Sequence, residues 1–180
     1  MKEEDIPRIS PKESFINRRM GDLPNLQVDR FRSATTRGIM VVDGMRMSFY
    51  ARTLPTATFV WHCPYIVLFT SRDKMVFGED YREHVLIKLN GECECPNENV
   101  KNEMKVITGE SFTNWDDWKE ANMKGQECDV IFEKRKNIVL ITAQIGDVVI
   151  ENKTTLENDA DEVYVALTGD CCAITTIRIK

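Results

Sequence analysis

The segment Cys128-Asp-Val-Ile-Phe-Glu-Lys134, Lys136-Asn137, Ile138-Val-Leu-Ile-Thr-Ala143, Gly146-Asp147, Val148-Val-Ile-Glu151 reads as three short strands parted by two turn dipeptides. Two more runs of this kind, Glu162 to Thr168 and Ala173 to Ile179, flank Gly169-Asp170, with Asn158-Asp159 as the turn before them. Strands at this spacing, joined by turns too short for crossover helices, predict an all-β fold, an antiparallel β-sandwich or barrel.

Working outward from there, Tyr81 to Leu89 alternates and closes on Asn90-Gly91, which predicts a strand with Arg82, His84 and Lys88 on one face. Thr58 to Ser71 is rich in β-branched and aromatic residues and reads as one bent or two straight strands, with Pro64 at an edge, bend or start. Gly38 to Val42, Asp43-Gly44 and Met45 to Arg52 predict a β-hairpin. One short helix is expected, capped by Ser111, carrying Asp116 and Asp117 in its early turns and ending at Lys124 before Gly125. Residues 1–33 are polar and broken by Pro7, Pro11 and Pro24. They are expected to form an N-terminal tail or linker whose Phe15-Ile16 can dock on the body, leaving 34–180 as the sandwich domain.

At 180 residues and 42% apolar content the chain suits one domain with a two-layer core. A formal net charge of −5 argues against a nucleic-acid partner, because phosphate binding draws on a clustered Lys/Arg excess. No apolar run approaches the roughly 18 to 20 residues of a membrane span. The start, Met1-Lys-Glu-Glu-Asp5, has neither a basic n-region nor an apolar h-region, so the chain as given is expected in the cytoplasm; a fragment of a secreted protein would be extracellular.

The six cysteines, Cys63, Cys93, Cys95, Cys128, Cys171 and Cys172, lack zinc-finger or C-x-x-C spacing, and only His62 and His84 can complete a metal set. Unbridged, partly buried thiols are expected, with no cofactor. Asp43, Asp147, Asp159 and Asp170 sit in turn signals, where they serve turn chemistry or supply oxygen to a structural calcium ion.

Three strings, Arg52-Thr-Leu-Pro-Thr-Ala-Thr-Phe-Val-Trp-His-Cys-Pro-Tyr65, Tyr81-Arg-Glu-His-Val-Leu-Ile-Lys-Leu-Asn-Gly-Glu92 and Val163-Tyr-Val-Ala-Leu-Thr-Gly-Asp170, carry a family resemblance. The stretch from about Ala34 to Lys180 resembles the β-jelly-roll, concanavalin- and carbohydrate-binding-module-like regions of Firmicute glycoside hydrolases and of the input halves of diguanylate-cyclase (GGDEF) signalling proteins. The resemblance implies a lectin-like sensory or targeting module that binds an oligosaccharide or polysaccharide and is linked to a signalling or hydrolase domain, although neither a GGDEF segment nor a hydrolase module is present here.

Sugars are held by flat aromatic faces over C–H surfaces, with polar side chains reading the hydroxyls. The candidates are Trp61, Tyr65 and Tyr81 in or beside strands, and Trp115 and Trp118 three apart on the helix. Polar partners are Arg46, Tyr50 and Arg52, which alternate with Met45, Met47, Phe49 and Ala51, together with Arg82 and His84. If the two strands adjoin, they form one basic-aromatic surface. Each of these residues also has an ordinary reading, core packing for the aromatics and a solvated sheet face for the polar groups.

His62 and Cys63 are adjacent on an extended segment and point apart, so they form no catalytic pair. Glu79, Asp80, Glu83, Asp116 and Asp117 have no spacing that specifies a glycosidase pair. The leading expectation is a non-catalytic carbohydrate-binding module. A small β-sandwich glycan hydrolase or lyase, and a protein-interaction or regulatory adaptor, are the alternatives; product release from polysaccharides would mark the first, and co-purification of a partner the second.

Overall fold

The computed structural model describes residues 18–158 and 162–180. Their elements in chain order are β1 (Leu26–Val28), β2 (Ile39–Met40), β3 (Arg46–Thr53), β4 (Pro64–Thr70), β5 (Arg82–Lys88), β6 (Cys93–Glu94), β7 (Lys101–Thr108), α1 (Trp115–Lys124), β8 (Gln126–Arg135), β9 (Ile138–Ile145), β10 (Val148–Thr155), β11 (Tyr164–Gly169) and β12 (Cys172–Ile179). The strands make two antiparallel sheets, one of seven in the order β1-β12-β3-β8-β9-β10-β7 and one of five in the order β2-β11-β4-β5-β6. This is the all-β sandwich with one short helix that the strand spacing predicts.

The meander β8-β9-β10 follows the quoted segment closely, because its turns, at Lys136-Asn137 and Gly146-Asp147, allow only antiparallel neighbours. Alternation decides the layers. In β8 the side chains of Cys128, Val130 and Phe132 are buried while Glu127, Asp129, Ile131 and Glu133 are exposed, so here the seven-stranded sheet packs one face on the core and leaves the other open, whereas beside β3 and β12 the outer face is covered and Ala173 and Thr175 are buried. In β4, by contrast, Tyr65 through Phe69 are all buried. Both faces of the five-stranded sheet are covered; Phe31 lies edge-on to Tyr65 and Tyr81 packs against Phe69.

Three expectations about the strands and the N-terminal segment are corrected. The segment 38–52 is not a hairpin: β2 pairs with β11 in the smaller sheet and β3 with β12 and β8 in the larger, so the Asp43-Gly44 turn carries the chain from one sheet to the other. Its apolar residues suit a turn between layers as well as a hairpin, and periodicity alone does not separate the two. Residues 18–33 are not a polar tail. β1 adds to β12, Leu23 bridges to Ile177 and is 1% exposed, and Gly21 sits so close to the Ile177 backbone that a Cβ would collide with it. The docking expectation at Phe15-Ile16, like the turn at Asp159, lies outside the described residues. Third, β5 carries a bulge. Leu68 opposes Val85 while Phe69 opposes Glu83, so His84 is the extra residue and the alternation slips there. Arg82 and Lys88 thus lie on opposite faces and His84 is 8% exposed, inside the domain.

The helix is shorter than expected. Asn114, not Ser111, is the N-cap, its side chain accepting from the Asp117 amide at 2.8 Å, while Ser111 donates to Asp147 in the β9–β10 turn.

Candidate functional site

The structure separates most of the expected surface. β3 and β5 lie in different sheets, so Arg46, Tyr50 and Arg52 share no face with Tyr81, Arg82 and His84. Arg46 is exposed at the far end of β3, where its backbone pairs with Lys180. Tyr50 Oη donates to Lys124 O (3.2 Å) and Arg52 Nε to Met123 O (2.8 Å). These are the orphan carbonyls at the C-terminus of α1, so the two side chains fasten the helix to the sheet. The Arg18 guanidinium lies 3.8 Å over the Tyr50 ring.

The helical tryptophans take the ordinary reading. Trp118 is 5% exposed and donates through Nε1 to Ile145 O, and Trp115 packs edge-on between it and Phe112 against the core. Tyr65 is fully buried and donates to Trp61 O at 2.6 Å. Tyr81 is half-buried and donates to Glu83 at 2.6 Å; Glu83 also pairs with Arg32 at 2.6 Å. That trio latches the 29–37 segment onto the smaller sheet. Arg82 is exposed and lines, with Tyr81, Glu83 and Asn97, a cleft of about 460 Å³.

Trp61 alone among the ten is an exposed aromatic, and it has a partner that the sequence did not reveal. The Phe59 and Trp61 rings stack in parallel, 4.3 Å apart at 6°, with 49% and 39% of each residue exposed. They ride on the β3–β4 loop, which is fixed from every side. His62 Nδ1 accepts from the amides of Thr58 (2.9 Å) and Phe59 (3.1 Å), Lys119 of α1 donates to Thr58 O, and Tyr65 holds Trp61 O from below. Leu54 N bonds Cys171 O and Asp170 N bonds Cys63 O, tying the loop to the β11–β12 turn. Exposed Thr56 and Thr58 stand on the same loop.

Beneath the rings, one ligand atom each from His62, Asp170 and Cys171 lies within 4.8 Å of the others. These residue types suit a transition metal, but their hydrogen bonding does not. Because Nδ1 accepts two amide protons, the neutral ring carries its own proton on Nε2, which faces Asp170 Oδ2 at 3.8 Å. A metal-bound histidine needs the reverse, a lone pair toward the ion and a proton on the other nitrogen. Burial, reinforced by Asp170, pushes the Cys171 thiol up and disfavours the thiolate that a nucleophile needs. The cluster is a fastener that presents a donor and a carboxylate beside the rings. Cys171 does hold a strained backbone, φ +48°, at this turn.

Among the described turn acids, Asp43 accepts from the Lys134 amide of β8, Asp147 from Ser111 ahead of α1, and Asp170 faces His62 of the β3–β4 loop, so each ties its turn to a neighbouring segment. The open face of the larger sheet has a groove of about 390 Å³ lined by Glu103, Lys105, Glu133, Leu140, Thr142, Glu151 and Lys153, without an aromatic ring. No helix among the described residues is long and apolar enough to cross a membrane. No family model matches the chain, and no curated protein matches it.

Proposed function

We propose that the domain binds a carbohydrate without catalysis, and that the ligand lies on the Phe59–Trp61 platform. The observation that carries this reading is the parallel, half-exposed ring pair on a loop whose backbone is pinned at Thr58, Phe59, Trp61 and Cys63. The exposed area of the two stacked rings covers C–H surface well, and the pinned backbone that carries them lowers the conformational entropy lost on meeting a sugar ring. The Thr56 and Thr58 hydroxyls, the His62 Nε2–H and the Asp170 carboxylate supply donors and acceptors for sugar hydroxyls.

The hydrolase reading gains no observation. Its carboxylates hold structure elsewhere: Asp80 pairs with Arg72, Glu83 with Arg32, and Asp117 closes the helix cap with Thr113 and Asn114. Covering one face of an indole removes roughly a third of the 150–250 Å² such a ring can bury, about 1.5 kcal/mol, or roughly tenfold in affinity. Calorimetric titration with a panel of neutral and acidic oligosaccharides tests this. The expected result is binding to at least one glycan class, weakened about tenfold by Trp61→Ala with an unchanged melting midpoint. Heat-silent titrations across the panel would remove the proposal.

A further inference from the structure

The edges of the two sheets are unequal. β1, β2 and β6 are two or three residues long, which leaves little backbone for another chain to pair with. β7 runs for eight residues, pairs with β10 from Lys101↔Thr155 to Thr108↔Val148 without a bulge, and contains neither proline nor glycine. Among the described residues no strand lies on its other side. Beneath it, Asn102 donates to Asn152 (2.9 Å), Asn152 to Thr154 (3.0 Å), and Thr154 back to Asn102 (2.8 Å), a closed ring that holds the edge in register.

A long, straight edge invites another strand, and natural proteins deter one with proline, bulges, cover or charges that find no partner across the join. β7 carries Lys101, Glu103 and Lys105 along its open face, alternating in sign. In an antiparallel pair of identical strands, opposed residues must share a face, so only even offsets are open. With Met104 opposite Met104, Glu103 faces the second copy's Lys105, and by symmetry Lys105 faces its Glu103. Sliding one pleat either way sets Glu103 against Glu103 or Lys105 against Lys105. The favoured offset also continues a pattern already within the chain, where Glu103 opposes Lys153 and Lys105 opposes Glu151. Across the join the row would read Lys153, Glu103, Lys105, Glu151, with the sign alternating at each strand.

We propose that two copies of the chain pair antiparallel through β7, on a twofold axis at Met104, joining their larger sheets into one. This is independent of the sugar-binding reading. Sedimentation of the full chain over a range of concentrations is the test, on the parent and on Glu103→Lys, Lys105→Glu and the double variant. The parent is expected to dimerise, each single variant to weaken the dimer at least about tenfold, and the double variant to recover it. Folding stability cannot mimic this pattern, because the double variant places like charges opposite both Lys153 and Glu151 and is the least favourable fold of the four. A parent that stays monomeric at all concentrations, or a dimer unaffected by the single changes, overturns the proposal.

Discussion

Trp61 and His84 show how much of a residue's role is set by what lies across from it. Both stand in β-rich strings and both read as ligand contacts in the sequence; the structure leaves Trp61 at the surface and puts His84 inside a bulge. His84 Nε2 is buried without a partner, and burial, with Arg82 nearby, holds its pKa below the ordinary value. The folded state therefore favours the neutral ring, while the unfolded chain takes up a proton near pH 6.5. The stability this contributes is present above that pH and is lost as the pH falls below it. Melting midpoints between pH 8 and pH 5 should decline on the acid side in the parent and flatten in His84→Gln; parallel declines would deny His84 this role. The thiols give a second residue-scale prediction. All six cysteines are free, with Cys93 exposed and Cys63, Cys128 and Cys172 buried; burial pushes Cys63 up to about 12. A thiol reagent should label Cys93 in the native protein and reach those three only on unfolding. Rapid native labelling of Cys63 would contradict the packing described.

At the scale of elements, the decisive evidence is how the N-terminal segment and the helix are attached. Leu23 and β1 are part of the larger sheet, so Leu23→Ala should destabilise by about 2–5 kcal/mol and lower the melting midpoint by at least about 4 °C. A change near zero would return residues 18–33 to the status of a tail. The helix depends on Gly125, whose φ of +101° suits glycine and where a Cβ would meet the Tyr50 hydroxyl. Gly125→Ala should cost more than about 1 kcal/mol and release Tyr50 and Arg52 from the carbonyls they hold, read as lost helical ellipticity; an unchanged spectrum and midpoint would refute this. These elements also mark the limits of sequence reading. β8, β9 and β10 were legible because buried and exposed residues alternate between turn dipeptides. β7, Lys-Asn-Glu-Met-Lys-Val-Ile-Thr, was not, because an edge strand needs no strong apolar face. β1 was hidden by its length of three residues, and the false hairpin arose because an Asp-Gly turn can join two sheets as readily as two neighbours.

For the whole molecule, strand spacing and alternation were enough to specify a two-layer antiparallel sandwich, whereas the candidate site was only partly written in the sequence. Trp61 was visible as one of several candidate aromatics in or beside strands, with nothing in its string to part it from those that pack in the core. Its companions Phe59, Asp170 and Cys171 were not, since the platform is assembled where the β3–β4 loop meets the β11–β12 turn, more than a hundred residues away along the chain. The basic-aromatic sheet surface failed for the same reason: which strands adjoin is a property of topology, and β3 and β5 fall in different sheets. On the proposed reading, ligand meets this loop cluster and not the helix or the open sheet. The three tryptophan indole N–H resonances report on it directly, because Trp61 lies on the platform, Trp118 is buried with its N–H on Ile145 O, and Trp115 packs beside Trp118. On titrating a bound oligosaccharide into the isotopically labelled protein, the Trp61 indole signal should move progressively while those of Trp115 and Trp118 stay in place; movement of Trp115 or Trp118 with Trp61 fixed would contradict the assignment of the site.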